Sequence, residues 1–257
     1  MNKPVISEGG FLIASPSWMR ARTAFTHEYF EDVNYVVCKS QAEGYRERGL
    51  NVWECPDSAQ GNLCRVRNWI LDNTKIKNVL IIDDDFSALG FYDGHIKLKF
   101  SSAEAIEVIE SYFDLANQLG VKFWGVNCSS DKGVYSEHKP FSFNNYIGGP
   151  FQAFINCPLR YDEALPLKED YDMTLQVMNR YRKALRVNHL HYMVKQHTNK
   201  GGCASYRTVK KEQEQFKLLE KKWGSKIVRT DSRDRKGQVK ETLYDINPII
   251  KIPIAGI

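Results

Sequence analysis

Short apolar runs broken by polar turns mark the first third of the chain. Phe11-Leu12-Ile13-Ala14 ends at Ser-Pro-Ser, the pattern of a buried strand stopped by turn chemistry. Tyr35-Val36-Val37-Cys38 predicts a second strand, and Ser40 to Arg48 a helix closed by Gly49. Asn51 to Cys55, halted by Pro56, predicts a third strand. From Asn62 to Asp72 the apolar Leu63, Val66, Trp69 and Ile70 recur at helical spacing. After Asn73-Thr74 the run Val79-Leu80-Ile81-Ile82 leads straight into Asp83-Asp84-Asp85.

The second part continues in the same style. Phe91 to Ile96 carries a hairpin turn around Asp93-Gly94. Ser102 to Leu119 is the clearest helix, with Ser101-x-x-Glu104 as a capping box and Gly120 as its close. Strands are predicted at Val121–Val126 and Gln152–Ile155, separated by a long polar, glycine-bearing stretch over 128–150 of the kind that usually carries function. A helix over Lys168–Ala184 and a strand over Arg186–Lys195 follow, the strand carrying His189 and His191 on one face by alternation. A helix at Val209–Trp223 and a strand at Pro248–Pro253 end the pattern, with no internal repeat. Strands alternating with helices predict an α/β fold with a mostly parallel sheet flanked by helices. A chain of 257 residues fits one domain, 1–257.

Composition narrows this little: 42% hydrophobic and 26% charged residues are ordinary globular values. Neither a signal-peptide core nor an apolar stretch of membrane-span length is present, so a cytoplasmic protein with no membrane partner is expected. The six cysteines show no C-x-x-C pair and are expected to be reduced and mostly packed. Charge changes the picture more. Residues 207–240 hold twelve Lys/Arg against five Asp/Glu, a net +7 in a chain of net +5, which leaves −2 for the rest. That asymmetry is either a surface that meets a polyanion or a solvated helix face with a charged turn.

The candidate chemistry centres on the aspartate triplet. Ligands of open α/β sheets bind beyond the carboxyl ends of strands, where Asp83, Asp84 and Asp85 stand. Adjacent carboxylates repel unless a cation or hydrogen-bond donors compensate, and a hard divalent ion such as Mn²⁺ or Mg²⁺ suits them. Alternation places Asp83 and Asp85 on one side and Asp84 on the other, a D-x-D arrangement. Response-regulator and haloacid-dehalogenase-like sites also use strand-end aspartates, and a solvated acidic loop is the bland reading.

The remaining pieces, taken in order, resemble a GT-A glycosyltransferase over roughly residues 11 to 207. Ser15-Pro16-Ser17-Trp18-Met19-Arg20 is similar to the family's nucleotide-gripping loop, and Arg65-Val66-Arg67-Asn68-Trp69 to its A-R-N helix, which implies that Ser15, Trp18, Arg20, Arg67 and Asn68 bind the donor. The resemblance implies that Asp83 faces the ribose with Asp84 at the nucleotide, and that Asp85, with Asp83, holds the metal on the diphosphate. Gly148-Gly149-Pro150-Phe151 resembles the glycine turn at the donor-sugar pocket, and Leu167-Lys168-Glu169-Asp170 the E-D motif whose carboxylate is catalytic in inverting members. His197-Thr198-Asn199-Lys200-Gly201-Gly202 looks like the late metal-binding histidine and the loop over the phosphates, implying His197 as ligand and Lys200 and Gly201 at the donor. The fold so implied is a Rossmann-like GT-A domain with a mixed, mostly parallel sheet.

Tyr161-Asp162-Glu163 and Lys168 to Asp172, with the Arg-Asn-Trp helix, resemble a narrower group: phage and TET-associated glycosyltransferases of 5-hydroxymethylated pyrimidines in DNA. This implies a nucleoside-diphosphate sugar donor, expected to be a UDP-sugar, and 5-hydroxymethylcytosine in DNA as acceptor, with 207–240 tracking phosphates. A protein or glycan acceptor is the alternative within the enzyme class, and a non-catalytic DNA-binding module the alternative outside it. Several residues keep two readings. Glu169 and Asp170 are either catalytic or stabilise a helix start, Trp18 stacks on a base or fills a core or lid, and His189 and His191 are ligands or satisfied packed groups. Which sugar is moved, whether with inversion or retention, and in what oligomeric state, the sequence does not say.

Overall fold

The computed structural model describes residues 3–94, 96–194, 202–230 and 247–252, apart from the side chains of Lys132, Cys203 and Ala204. His197, Lys200 and Gly201 lie outside the described residues, as does the stretch 231–240 of the basic segment.

The first four strands are β1 (Leu12–Pro16), β2 (Asn34–Cys38), β3 (Val52–Cys55) and β4 (Asn78–Ile82), all parallel in the order β3-β2-β1-β4. Their apolar runs are buried on both faces, as parallel strands covered by helices on two sides must be. The pleat sorts them: Phe11 and Ile13 face one hydrophobic cluster, Leu12 and Ala14 the other. The first cluster is closed by α1 (Ala42–Arg46) and α3 (Ser102–Gln118), the second by α2 (Leu63–Asn73) and α4 (Glu169–Tyr181). The capping box at α3 is formed, with Ser101 N–H donating to Glu104 at 2.7 Å, and Gly120 closes the helix at φ +63.

Beyond β4 the strand directions mix. β9 (Phe151–Ile155) lies antiparallel between β4 and β7 (Phe123–Asn127), and β10 (Leu185–Val194) runs parallel to β7. β5 (Phe86–Asp93) starts right after the triplet and pairs antiparallel with β10, and β6 (Ile96–Lys99) folds back on it as the edge strand. The two-residue β8 (Phe141–Ser142) also joins β10. Seven of the ten strands run one way and β5, β8 and β9 the other, so the sheet is mixed and mostly parallel. The simple strand–helix alternation overlooks β5, because a hairpin needs no crossover helix to turn the chain.

Two further departures matter. The register of β10 against β7 slips between Val187 and His191, so His189 and His191 do not share one face as strict alternation would have it. His189 Nε2 lies 3.0 Å from Tyr112 Oη, whereas His191 packs on Tyr92 with ring centres 4.8 Å apart. At the C-terminal end, Ile249–Ile250 (β12) is not in the main sheet. It pairs with Val228–Arg229 (β11) in a two-stranded ribbon beside α5 (Val209–Trp223), where Leu165, Leu175, Phe216, Leu219 and Val228 form a third, small core.

Candidate active site

The C-terminal ends of β1 and β4 lie side by side, Ala14 opposite Ile81, so the loop after β1 meets the aspartate triplet. Asp84 is buried there, accepting from Ser17 Oγ at 2.5 Å and from Arg20 Nη1 at 2.5 Å. Ser17 Oγ is in turn 2.7 Å from Tyr45 Oη, which accepts from the Arg20 amide at 3.1 Å. The triplet's backbone is fixed as well: the Thr26 hydroxyl donates to the Asp83 carbonyl at 2.8 Å and the Phe25 amide to the Asp84 carbonyl at 3.0 Å. Asp84 therefore ties the β1 loop to the strand end. Asp83 and Asp85 point elsewhere, with Asp85 4.0 Å from Arg20.

The first turn of α4 brings Glu169 and Asp170 to the same place. Arg67, 1% exposed on α2, joins the two halves. Its guanidinium donates to Glu169 Oε1 at 3.2 Å, Gln152 Oε1 at 3.2 Å, the Gly149 carbonyl at 3.1 Å and Asp83 Oδ1 at 3.3 Å. Asp170 accepts from the Tyr146 hydroxyl, from the Gly149 amide at 3.1 Å and from the Tyr171 amide at 2.8 Å. Gly149 is thus wedged among charged groups, and a Cβ there would lie 3.4 Å from Asp170 Oδ2 and 3.5 Å from Glu169 Oε1 and Arg67 Nη2. At Gly148 a Cβ would come within 2.9 Å of Cys128 Sγ, so this turn needs glycine for the protein's own packing.

Five carboxyl groups, Asp83, Asp84, Asp85, Glu169 and Asp170, thus share the site with two guanidinium groups, Arg20 and Arg67. Burial, and after it the crowding of negative charge, raises several of these carboxyls above the usual carboxylate range. Burial, then Asp83 and Asp84, push Asp85 up to about 7 against the pull of Arg20, and burial with Asp170 pushes Glu169 up to about 8 against Arg67. Asp83 and Asp84 are raised too, first by burial, with Arg67 and Arg20 respectively opposing. Among the described residues no group of three or more His, Cys, Asp and Glu side chains is placed to hold a metal ion. Asp83 and Asp85 nevertheless fit a hard divalent ion, since Mg²⁺-type ions are commonly held by one or two carboxylates together with substrate phosphates.

Several expected donor-binding residues are turned to other partners. Arg67 faces inward onto carboxylates and Gln152 and leaves no exposed N–H for a nucleotide. Asn68 spans the Tyr161 backbone, donating to its carbonyl at 2.9 Å and accepting from its amide at 2.7 Å, so it braces a loop. Ser15 is fully buried, and Asp84 is bonded to Ser17 and Arg20. Trp18 Nε1 is buried with no partner among the described residues, while the Trp18 carbonyl accepts from the Gly202 amide at 3.0 Å. Conversely, Ser17 of the loop motif holds the site together with Tyr45, Tyr146 and Gln152, three residues that sequence reasoning passed over. Only Gln152 left a signal, as a polar residue inside the apolar run Phe151–Ile155 that proves to be 0% exposed.

In the basic segment, Arg207 pairs with Glu212 at 2.9 Å and Lys222 with Asp162 at 2.7 Å and Asp172 at 2.9 Å, so part of its charge is spent internally. Lys210, Lys217 and Lys221 are exposed on α5, and their spacing puts them on one face. Among the described residues no helix is long and apolar enough to cross a membrane. Cys38, Cys55, Cys128 and Cys157 are free thiols, all but Cys128 buried, and Cys64 is buried too.

Among solved structures, TarS 1-349 of S. aureus in complex with UDP-GlcNAc is similar over 82% of this chain and 64% of its own, at 13% identity and a TM-score of 0.51. The mannosyltransferase PcManGT from Pyrobaculum calidifontis, in complex with GDP-Man and Mn²⁺, matches over 86% of this chain and 68% of its own, at 12% identity and a TM-score of 0.51. Likeness at these identities shows the fold alone, the GT-A type expected from the sequence, and the chain spans under two-thirds of the TarS fragment's length. Among curated proteins none matches the chain in sequence. The sequence profile of the TET-associated glycosyltransferase family matches residues 11–202, and the chain belongs to that family.

Proposed function

We propose, from its membership of the TET-associated glycosyltransferase family, that this chain moves a sugar from a nucleoside-diphosphate sugar, most simply a UDP-sugar, to the hydroxyl of 5-hydroxymethylcytosine in DNA with the help of Mn²⁺ or Mg²⁺. The observation that carries the reading is the acidic excess at the end of β4, where Asp83 and Asp85 stand beside Glu169 and Asp170 and, among the described residues, Arg20 and Arg67 pair with them. Such a site gains from a bound cation, and Asp83 and Asp85 are the groups open to one. A divalent ion there would neutralise the charge that builds on the leaving diphosphate. His197 is retained as a third ligand, with Lys200 and Gly201 at the phosphates. The described residues flanking that segment support this: Val194 pairs with Phe86, next to the triplet, and Gly202 meets Trp18.

Asp170 is assigned the proton-accepting role. Its Oδ2 takes two donors, Tyr146 and Gly149, while Oδ1 takes only the Tyr171 amide. A carboxylate oxygen has two lone-pair directions, so one on Oδ1 remains for an acceptor hydroxyl. Glu169 lies inward on Arg67 and is assigned to holding that arginine and Asp170 in place. The acceptor's phosphates are assigned to the outward lysines of α5 and the basic residues that follow.

The test has two arms. A thermal-shift panel of UDP, GDP and their sugars with and without Mn²⁺ reads the donor, since a ligand at about 100 times its dissociation constant adds ~2.7 kcal/mol to stability. Incorporation of labelled sugar into hydroxymethylcytosine DNA, beside unmodified DNA, reads the acceptor. Binding without a Mn²⁺ effect would remove the metal from the reading, and glycosylation of a protein or glycan with neither DNA modified would remove the nucleic acid.

A further inference from the structure

The family match ends at residue 202, yet the turn that carries Glu169 and Asp170 is held from beyond it, by α5. Lys168, at the N-cap of α4, is 1% exposed and reaches Glu212 of α5, itself 3% exposed, at 2.5 Å. Glu212 also takes Arg207 at 2.9 Å, and Lys168 Nζ lies 3.4 Å from Asn247 Oδ1. One turn later Asp172, fully buried, accepts from the Trp223 indole at 2.8 Å and from Lys222. Between these, Gln215 donates to the Ala164 carbonyl at 2.8 Å and accepts from the Leu167 amide at 3.4 Å. Helix α5 therefore grips both the backbone and the side chains of residues 164–172.

The grip is one-sided. Positions 168 and 172 are four apart and share a face of α4, whereas Asp170, two residues on from Lys168, points to the opposite side, toward Tyr146 and Gly149. The apolar packing of Leu165, Leu175, Phe216 and Leu219 supplies adhesion but little register, because such packing is non-directional. A buried ion pair is weak evidence for stability, since apolar replacements of similar volume often serve as well. What the pair adds is a fixed distance and direction at the residue preceding the two site carboxyls.

We propose that α5 is a brace that sets the first turn of α4 in catalytic register, with Lys168 and Glu212 as positioning residues for the transfer. This rests on the assignment of Asp170 as the proton acceptor. Displacement of a reacting group by about 1 Å costs on the order of 10²-fold in rate, so loosening the brace lowers kcat and leaves donor binding at the β4 end alone.

The experiment is steady-state turnover of UDP-GlcNAc, UDP-glucose and GDP-mannose with Mn²⁺, with water or hydroxymethylcytosine DNA as acceptor, in the full chain. The double variant Lys168→Met/Glu212→Leu removes both charges and keeps an apolar contact. The expected result is a melting temperature within a few degrees of wild type, kcat lowered about 10- to 100-fold, donor KM within about twofold, and an unchanged shape of the pH–rate profile. A folded double variant with wild-type kcat overturns the brace. Should the double variant not fold, Lys168→Met, which deletes the donor to Glu212 while Arg207 still pairs with that carboxylate, decides in the same way: lowered kcat at constant KM supports the brace, and unchanged kcat overturns it. A folded wild type that turns over none of the donors removes instead the Asp170 assignment on which the brace depends, and that failure is recognised before any variant is made.

Discussion

Arg67 offers the sharpest test of how the site is held together. Replacing it with methionine keeps the apolar stem and deletes one buried cation that serves Glu169, Gln152, Gly149 and Asp83 at 3.1–3.3 Å. Breaking a buried pair by removing one partner costs about 3–5 kcal/mol. For a domain near this size each kcal/mol shifts the melting temperature by roughly 2–4 °C, so Arg67→Met should melt about 6–20 °C lower. The loss should also depend on pH. Glu169 is pushed up to about 8 from an ordinary 4.5, so it favours the fold when protonated, a contribution complete below the unfolded value and lost as pH rises through 8. Without Arg67 that carboxyl is raised further, and the difference between variant and wild type should be larger at pH 8.5 than at pH 6. Melting without nucleotide or divalent ion reads both effects. Arg67→Met/Glu169→Gln should recover part of the loss, because the stranded charge is gone. A drop under about 2 °C, or strict additivity of the two changes, would refute the account of Arg67 as the link between the triplet and α4.

The remaining expectations are simpler. Asp85→Ala should abolish the Mn²⁺-dependent part of UDP-sugar binding in a thermal-shift titration; full Mn²⁺ dependence would remove Asp85 from the metal. Asp170→Asn, nearly isosteric but unable to accept a proton, should lower turnover by about 10²–10⁴ at constant donor affinity, and near-normal turnover would leave it a helix-start residue. Lys210→Glu/Lys217→Glu/Lys221→Glu should weaken DNA binding across sequences and flatten its salt dependence by about 0.7–0.9 for each phosphate no longer neutralised, an unchanged slope marking α5 as mere solvated surface. His191, held neutral by burial with a pKa lowered to about 4, should cost stability progressively as pH falls from its ordinary 6.5 towards 4. His191→Phe should therefore lose less stability than wild type over that window in denaturant titrations, and parallel curves would contradict it.

Most elements were legible because each satisfies one local rule. Helix α3 reads from its capping box and terminal glycine, and β1 and β4 from apolar runs that a doubly covered sheet demands. Mixed direction was legible only through the family resemblance, not from the pattern of apolar runs. The antiparallel placement of β9 depends on which strands flank it, and nothing in Phe-Gln-Ala-Phe-Ile encodes that. The slip in β10 is similar: alternation puts His189 and His191 together, but the register against β7 skips between Val187 and His191 and sends them to different neighbours, Tyr112 and Tyr92. A period-of-two argument holds only as long as the ladder is regular.

The site divides along the same line. That Asp83 and Asp85 part from Asp84 follows from the pleat alone, and the structure assigns the inward one to Ser17 and Arg20. The same local logic is silent on the partners of Arg67 and Asn68, where a motif on a helix names which residues sit near the site without saying which way they face. Each guanidinium or amide bonds to whatever surrounds it after folding: Arg67 finds Glu169, 102 positions away, and Asn68 finds the Tyr161 backbone, 93 positions away. In this chain the long-range partners also decide charge. Glu169 and Asp170 read identically as first-turn acids, yet one is turned into Arg67 and the other toward Tyr146 and Gly149. Two adjacent carboxyls are thereby given different work, and a reading that treats the E-D pair as one catalytic unit predicts equal effects of Glu169→Gln and Asp170→Asn on turnover. The geometry predicts unequal ones, with the glutamate change falling chiefly on stability and the aspartate change chiefly on rate.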